Sequence, residues 1–266
     1  MRLRVLALLI LLPGLANAAE PAGLANARAL YNAGSFDDAI RAAMPVRQQT
    51  QWADAASLVV ARSHLERFRQ RNDPADLATA RSILAVVRPA LLSPRDQLDL
   101  LIGLGQSLFL GESYGASAEI FGNALGHPTT VSPRERLLLL DWWATAIERQ
   151  AQTRSPDRRA ALFARIVVRM EEELSREPGS RVANYWLAAG ARGAGDLDRA
   201  WDAAIAAWVR SGLSADGAVL RSDLDRLVTT ALITELTRQR PAREQADAEA
   251  ALRAEWEAVK GSWVAR

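Results

Sequence analysis

The chain has no cysteine, one lysine (Lys260) and two histidines, His64 and His127. Without cysteine no disulfide can form, so packing alone must hold the fold. The usual zinc ligand sets, which draw on cysteine and histidine, are excluded as well, and no residue pattern points to a metal or a cofactor. No stretch alternates with the two-residue period of a half-buried strand, so an all-α fold is expected. Long apolar runs are also scarce. The N-terminal run Val5 to Leu12 falls well short of the ~20 residues that a membrane-spanning helix needs.

That run has a different reading. Arg2 and Arg4 precede it, Pro13-Gly14 ends it, and Ala16-Asn17-Ala18 follows. A basic start, a short apolar middle and a small-residue A-x-A site form a secretory signal peptide, expected over residues 1–18 with cleavage before Ala19. No cysteine stands at the cleavage point to carry a lipid. The expectation is an exported protein, periplasmic or secreted, with no stable membrane anchor.

Charge points the same way. The 33 basic residues slightly outnumber the 31 acidic ones, but Arg2 and Arg4 leave with the signal peptide, so the remainder is balanced. Nucleic-acid binding calls for a basic footprint, and none survives. Arginine supplies nearly all the positive charge. It suits bidentate pairing with carboxylates and phosphates, although so uniform a bias also fits a GC-rich coding sequence.

The sequence does contain a repeat. Ala39, Ala80, Ser117, Ala160 and Ala200 each stand early in a helical stretch, spaced 41, 37, 43 and 40 residues apart. Four residues later come Ala43, Leu84, Phe121, Ala164 and Ala204, and seven residues later Val46, Val87, Ala124, Val167 and Ala207. Each trio falls on one helical stripe. A unit of ~40 residues with two helices is the signature of an α-solenoid. Turn signals punctuate the chain at Gly34-Ser35, Asn72-Asp73-Pro74, Ser93-Pro94, Ser132-Pro133, Ser155-Pro156 and Pro178-Gly179-Ser180. Ser-Pro suits the cap and first position of a helix.

Three units carry more detail. Leu104-Gly105, Leu108, Tyr114, Ser117, Phe121, Ala124 and Pro128 resemble the tetratricopeptide (TPR) pattern. Asn184 to Trp208, with Gly195-Asp196-Leu197 at its turn, resembles it again, as does Tyr31 to Ala43 with Gly34, Phe36 and Ala39 in register. The units anchored at Ala80 and Ala160 match only in their second helices. The resemblance implies a right-handed α-solenoid of about five TPR-like hairpins over residues 19–214. Two amphipathic stripes follow in residues 215–266, Leu220, Leu224, Leu227, Val228, Ala231 and Leu232, then Leu252, Trp256, Val259 and Trp263 after Pro241. These are expected to be capping helices, as a solenoid requires.

Two motifs suggest chemistry. Gly111-Glu112-Ser113-Tyr114-Gly115 spells the G-x-S-x-G of a nucleophile elbow, which in a hydrolase sits between a strand and a helix. Here the preceding residues have a helical period, and the repeat places Gly111 to Tyr114 at a helix-to-helix turn. The triad order Ser, acid, His also fails, because Glu119 is the only acid between Ser113 and His127. Gly190 to Asp196, "GARGAGD", resembles a phosphate cradle but follows no strand and lacks the G-x-G-x-x-G order. No catalytic residue is assigned.

The helical wheel of Leu137 to Gln152 puts Asp141, Thr145, Glu148 and Gln152 on an outer stripe, with Trp142 beside it. Trp142 is expected either to pack on the neighbouring hairpin or to line a groove. TPR-like solenoids present a concave surface of first-helix residues to a peptide. By that resemblance the groove residues are Arg28, Tyr31, Gln106, Phe109, Trp142, Tyr185 and Arg192. No lysine stands in any repeat, so the lysine-based carboxylate clamp of that family is not expected. The implied function is a non-enzymatic scaffold or adaptor that binds a protein or peptide partner in the cell envelope. The alternative is a periplasmic protein binding a small ligand or glycan on its tryptophans, for a transport or wall-remodelling system.

Overall fold

A computed structural model describes residues 19–127 and 131–263. The expected signal peptide and Pro128 of the repeat pattern lie outside the described residues. The described chain is all-α, without a strand. Its helices are α1 (Ala22–Asn32), α2 (Phe36–Ala43), α3 (Ala53–Arg71), α4 (Pro74–Leu84), α5 (Pro94–Leu110), α6 (Tyr114–Leu125), α7 (Pro133–Gln152), α8 (Pro156–Arg176), α9 (Arg181–Ala194), α10 (Leu197–Arg210), α11 (Gly217–Leu227), α12 (Ile233–Arg238) and α13 (Gln245–Ser262). A π-helical segment, Val228–Leu232, joins α11 to α12 without a break.

The helix boundaries follow from local chemistry. Asp73, Ser93, Ser132, Ser180 and Asp196 each accept a hydrogen bond from a first-turn backbone N–H. Ser132 and Glu135 form a reciprocal capping box. Pro74, Pro94, Pro133 and Pro156 open their helices, where a missing N–H costs nothing. Gly34 and Gly195 turn the chain at φ +79° and +87°, a left-handed conformation that glycine adopts without strain.

Through α11 each helix packs on the one before it, α12 packs on α13, and α1 on α3, α3 on α5, α7 on α9 and α9 on α11 make a second set of contacts. The core accordingly forms three consecutive clusters, over residues 24–100, 98–186 and 167–256. All five repeat anchors lie on the even-numbered helices α2 to α10. Four of the five are fully buried: Ala39, Ala80, Ser117 and Ala200.

The fourth unit departs from the expected register. Ala160 is half-buried and Ala164 is exposed, while Phe163, Ile166, Val167 and Met170 form the buried stripe of α8. The cause lies in the glycines of α9. A Cβ added at Gly193 would stand 2.4 Å from Phe163 Cδ1, and one at Gly190 would stand 3.2 Å from Ile166 Cγ2. Those glycines form a recess that takes the large side chains of α8, so size complementarity overrides the small-residue stripe. The "GARGAGD" glycines therefore pack and turn helices. Gly105 does the same on α5: its added Cβ would stand 2.6 Å from the buried Phe121 ring, and Ser117 Oγ donates 2.8 Å to its carbonyl.

The C-terminal helices fold back on the chain. Leu220, Leu224, Leu227, Val228 and Leu232 are buried, and Trp256 is almost wholly enclosed, with ring centroids 6.2 Å from Trp201 and 5.3 Å from Trp208. Its indole N–H donates 2.8 Å to Asp225, which Lys260 also meets at 2.9 Å. Trp263 is 53% exposed and lies outside that packed set.

Candidate functional site

The seven expected groove residues all fall on odd-numbered helices: Arg28 and Tyr31 on α1, Gln106 and Phe109 on α5, Trp142 on α7, Tyr185 and Arg192 on α9. The structure gathers them into three neighbouring groups, which α3, α7 and α12 complete.

The first group surrounds a cavity of about 380 Å³. Arg28 donates 2.7 Å to Glu20 and pairs at 2.8 Å with Asp96. Arg62 of α3 lies 4.8 Å from the centre of the Tyr31 ring and donates 2.6 Å to Asp99. Arg95 bridges Asp99, at 3.1 Å, to Glu135 of α7. Burial raises the Tyr31 phenol above its ordinary pKa, with Arg62 opposing. The hydrogen bonds from Arg95 draw the Glu135 carboxyl down to about 2. Three arginines thus face three carboxylates around the cavity, across α1, α3, α5 and α7, with Glu20 a fourth acid on Arg28. Each of these charges has an opposite partner, although the buried Arg62 Nε donates to none.

The second group is aromatic. Phe109 meets Tyr114 at 5.2 Å and Trp142 at 4.8 Å, both edge-on. Trp142 also lies 5.8 Å from Phe121, and the Arg69 guanidinium sits 5.2 Å from its ring centre. Trp142 therefore packs on the preceding hairpin while remaining half-exposed. Gln106 is buried; its amide N–H donates 3.3 Å to Glu66, and its amide oxygen has no hydrogen-bond partner.

The third group holds Tyr185, Arg192 and Glu148. Arg192 forms a two-pronged pair with Glu235 of α12, at 3.0 and 2.6 Å, so its charge is committed within the chain. Burial raises both the Tyr185 phenol and the Glu148 carboxyl. Asp141 is exposed, as its helical stripe predicts, and accepts the Trp186 indole N–H at 2.8 Å.

Sequence reasoning missed Arg62, Glu66 and Arg69 because the Ala80 unit matched only in its second helix. Their i, i+4, i+7 spacing was the available signal. Arg95, Asp99 and Gln106 likewise share one stripe of α5. The Glu235 partner of Arg192 left no local signal, since 43 residues separate the two.

Ser113 stands at the N-terminal cap of α6, between two helices, with an exposed side chain that makes no capping hydrogen bond. The neighbouring Glu112 takes φ +61°. This is a helix-to-helix turn, lacking the strand that a nucleophile elbow rests on. Among the described residues no acid, histidine or cysteine cluster could hold a metal, and no helix is long and apolar enough to cross a membrane.

No protein-family model matches the chain, and neither a curated protein nor a solved structure gives a significant match.

Proposed function

We propose that this chain is a TPR-like α-solenoid exported to the cell envelope, where it acts as a non-enzymatic scaffold or adaptor. In this reading the odd-numbered helices supply the concave surface that receives a protein or peptide partner, and α11 to α13 cap the repeats. The observation that carries it is that all seven expected groove residues fall on odd-numbered helices, α1, α5, α7 and α9. Half-buried aromatics there, Tyr31, Phe109, Trp142 and Tyr185, alternate with paired charges. Aromatic anchors bordered by polar groups are the composition of binding hot spots.

The test is a crosslinking pull-down from the native envelope fraction, comparing the native chain with a Phe109→Ala, Tyr185→Ala variant of unchanged helicity. A partner captured by the first and lost by the second supports the adaptor. Equal capture by both counts against this surface. The export step is tested separately by sequencing the N-terminus of the mature protein, which should begin at Ala19.

One feature favours the second reading, a small-ligand or glycan-binding protein: the about 380 Å³ cavity beside Tyr31. Its lining of tyrosine, asparagine and paired charges could hold a polar ligand of modest size. Thermal-shift screening with glycans and small acids distinguishes the two. Stabilisation that Tyr31→Ala abolishes supports the ligand reading, and no stabilisation by any compound removes it.

A further inference from the structure

A second groove, lined by none of the odd-helix groove residues, lies between α10, α12 and α13, with a volume of about 610 Å³. Its floor is apolar: Trp201 and Leu236 are buried, and Leu252 and Ala248 are half-buried. Its rims are acidic. Asp198 and Asp202 stand on α10, and Glu244, Asp247 and Glu255 stand in or beside α13, against the single cation Arg240.

These carboxylates are treated differently from those of the first cavity. There, Asp96, Asp99 and Glu135 are all held by arginines. Here, among the described residues, Asp198, Asp202 and Asp247 take part in no ion pair or hydrogen bond, although Arg240 is in the same groove. Glu255 accepts only the Trp201 indole N–H, at 3.0 Å, and Glu244 meets only its exposed neighbour Arg243. Asp198 and Asp247 lie in first helical turns, where the helix dipole favours an acid. That account does not reach Asp202 or Glu255, which stand further along their helices. Like charges one turn apart weaken a helix, and Asp198 and Asp202, both exposed on α10, repel one another in this way with no ion pair to offset it.

The arrangement also indicates what would relieve it. Asp198 and Asp202 stand one helical turn apart on α10, about 6 Å, and Asp247 and Glu255 two turns apart on α13, about 12 Å. The acids run along two rims and do not converge, and no group of them could hold a metal ion. An extended cation with an apolar side fits this shape better than a point charge. Arginine or lysine stems could lie on the Trp201–Leu252 floor with their charged heads at the rims.

We propose that this groove is a docking surface for a basic amphipathic helical segment of a partner protein. It shares no lining residue with the odd-helix groups, although α12 borders both.

The probe is a labelled synthetic helix with a leucine stripe flanked by arginines one turn apart, titrated against the full chain by fluorescence anisotropy. Two variants are compared. One carries Asp202→Asn, Asp247→Asn and Glu255→Gln. The other carries Glu112→Gln, Asp157→Asn and Glu177→Gln, which remove the same charge from exposed sites elsewhere, and circular dichroism confirms that both fold. The groove variant should bind about tenfold more weakly or worse, and the control variant within about twofold of the native chain. A probe with serine in place of leucine should also bind about tenfold more weakly. Equal losses in the two variants would reduce the effect to net charge and overturn the proposal. So would equally tight binding of the serine probe, displacement by spermine at matching concentration, or no binding to the native chain.

Discussion

Replacing Gly193 with alanine tests the claim that the glycines of α9 serve packing. Helix propensity alone favours alanine over glycine by ~1 kcal/mol in a helix interior. At Gly193, however, the new Cβ would stand 2.4 Å from Phe163 Cδ1 and 2.5 Å from its Cγ and Cε1. Because Cγ is among the clashing atoms, spinning the ring does not clear the space and the whole side chain must move. Phe163 is buried in the central cluster, where such overpacking costs ~1–3 kcal/mol. The net expectation lies between no change and a loss of ~2 kcal/mol, up to roughly 8 °C in Tm for a chain of this size. Gly122 is the control. It also lies inside a helix, but its added Cβ would meet nothing closer than Trp143 Nε1 at 3.6 Å. Gly122→Ala should therefore stabilise by up to ~1 kcal/mol. Urea denaturation followed by far-ultraviolet circular dichroism measures both, and Phe163→Leu combined with Gly193→Ala should recover about 1 kcal/mol of coupling. If Gly193→Ala stabilises as Gly122→Ala does, the packing argument is wrong.

Other consequences can be measured alongside. Trp256→Ala should cost ~3–5 kcal/mol, releasing α13 first; protease cleavage near Pro241 ahead of global unfolding would register that order. Ser132→Ala should cost ~1 kcal/mol by removing a capping box, whereas Ser113→Ala should cost little because Ser113 makes no capping bond. Comparable losses at the two sites would contradict the cap assignments. Glu135 contributes stability at neutral pH because its carboxyl is held at about 2 in the fold, below its ordinary value of 4.5. That contribution is present above the ordinary value and fades as pH falls from 4.5 toward about 2. Glu135→Gln should thus be less stable than the native chain at neutral pH, with the gap closing through that window; a gap that widens in acid would reverse the assignment. Glu148 shows the opposite sign, since burial raises its carboxyl. Glu148→Gln should stabilise the chain at neutral pH and make no difference in acid, where the native residue is already protonated.

The helices were legible in the sequence because their ends are marked by local chemistry. Asp73-Pro74, Ser93-Pro94 and Ser132-Pro133 announce caps whose partners lie within three residues, and the small residues at Ala39, Ala80, Ser117 and Ala200 mark faces that helices must share. The register of α8 was not legible. Ala160 and Ala164 are small wherever they point, and the side chains that decide the packing fit glycines thirty residues further on, at Gly190 and Gly193. The site divides in the same way. The odd-helix positions could be carried over from a repeat pattern, but their electrostatic partners are tertiary: Arg28 with Asp96, Arg95 with Glu135, Arg192 with Glu235. Pairs so far apart in the chain leave no periodic trace. The acidic groove at α13 was hidden for the same reason, since its two rims come from helices that no repeat relates.

Site-specific photocrosslinking tests the central proposal most directly. A photoreactive residue is placed at Tyr185 or Trp142 on the odd-helix face, and in separate chains at Val168 of α8 or Val86, both well exposed away from it. Irradiation in the living cell envelope should yield one discrete protein adduct from Tyr185 and Trp142 and none from Val168 and Val86. The same adduct from all four positions, or an adduct only from Val168 and Val86, would contradict a partner bound along the odd-numbered helices.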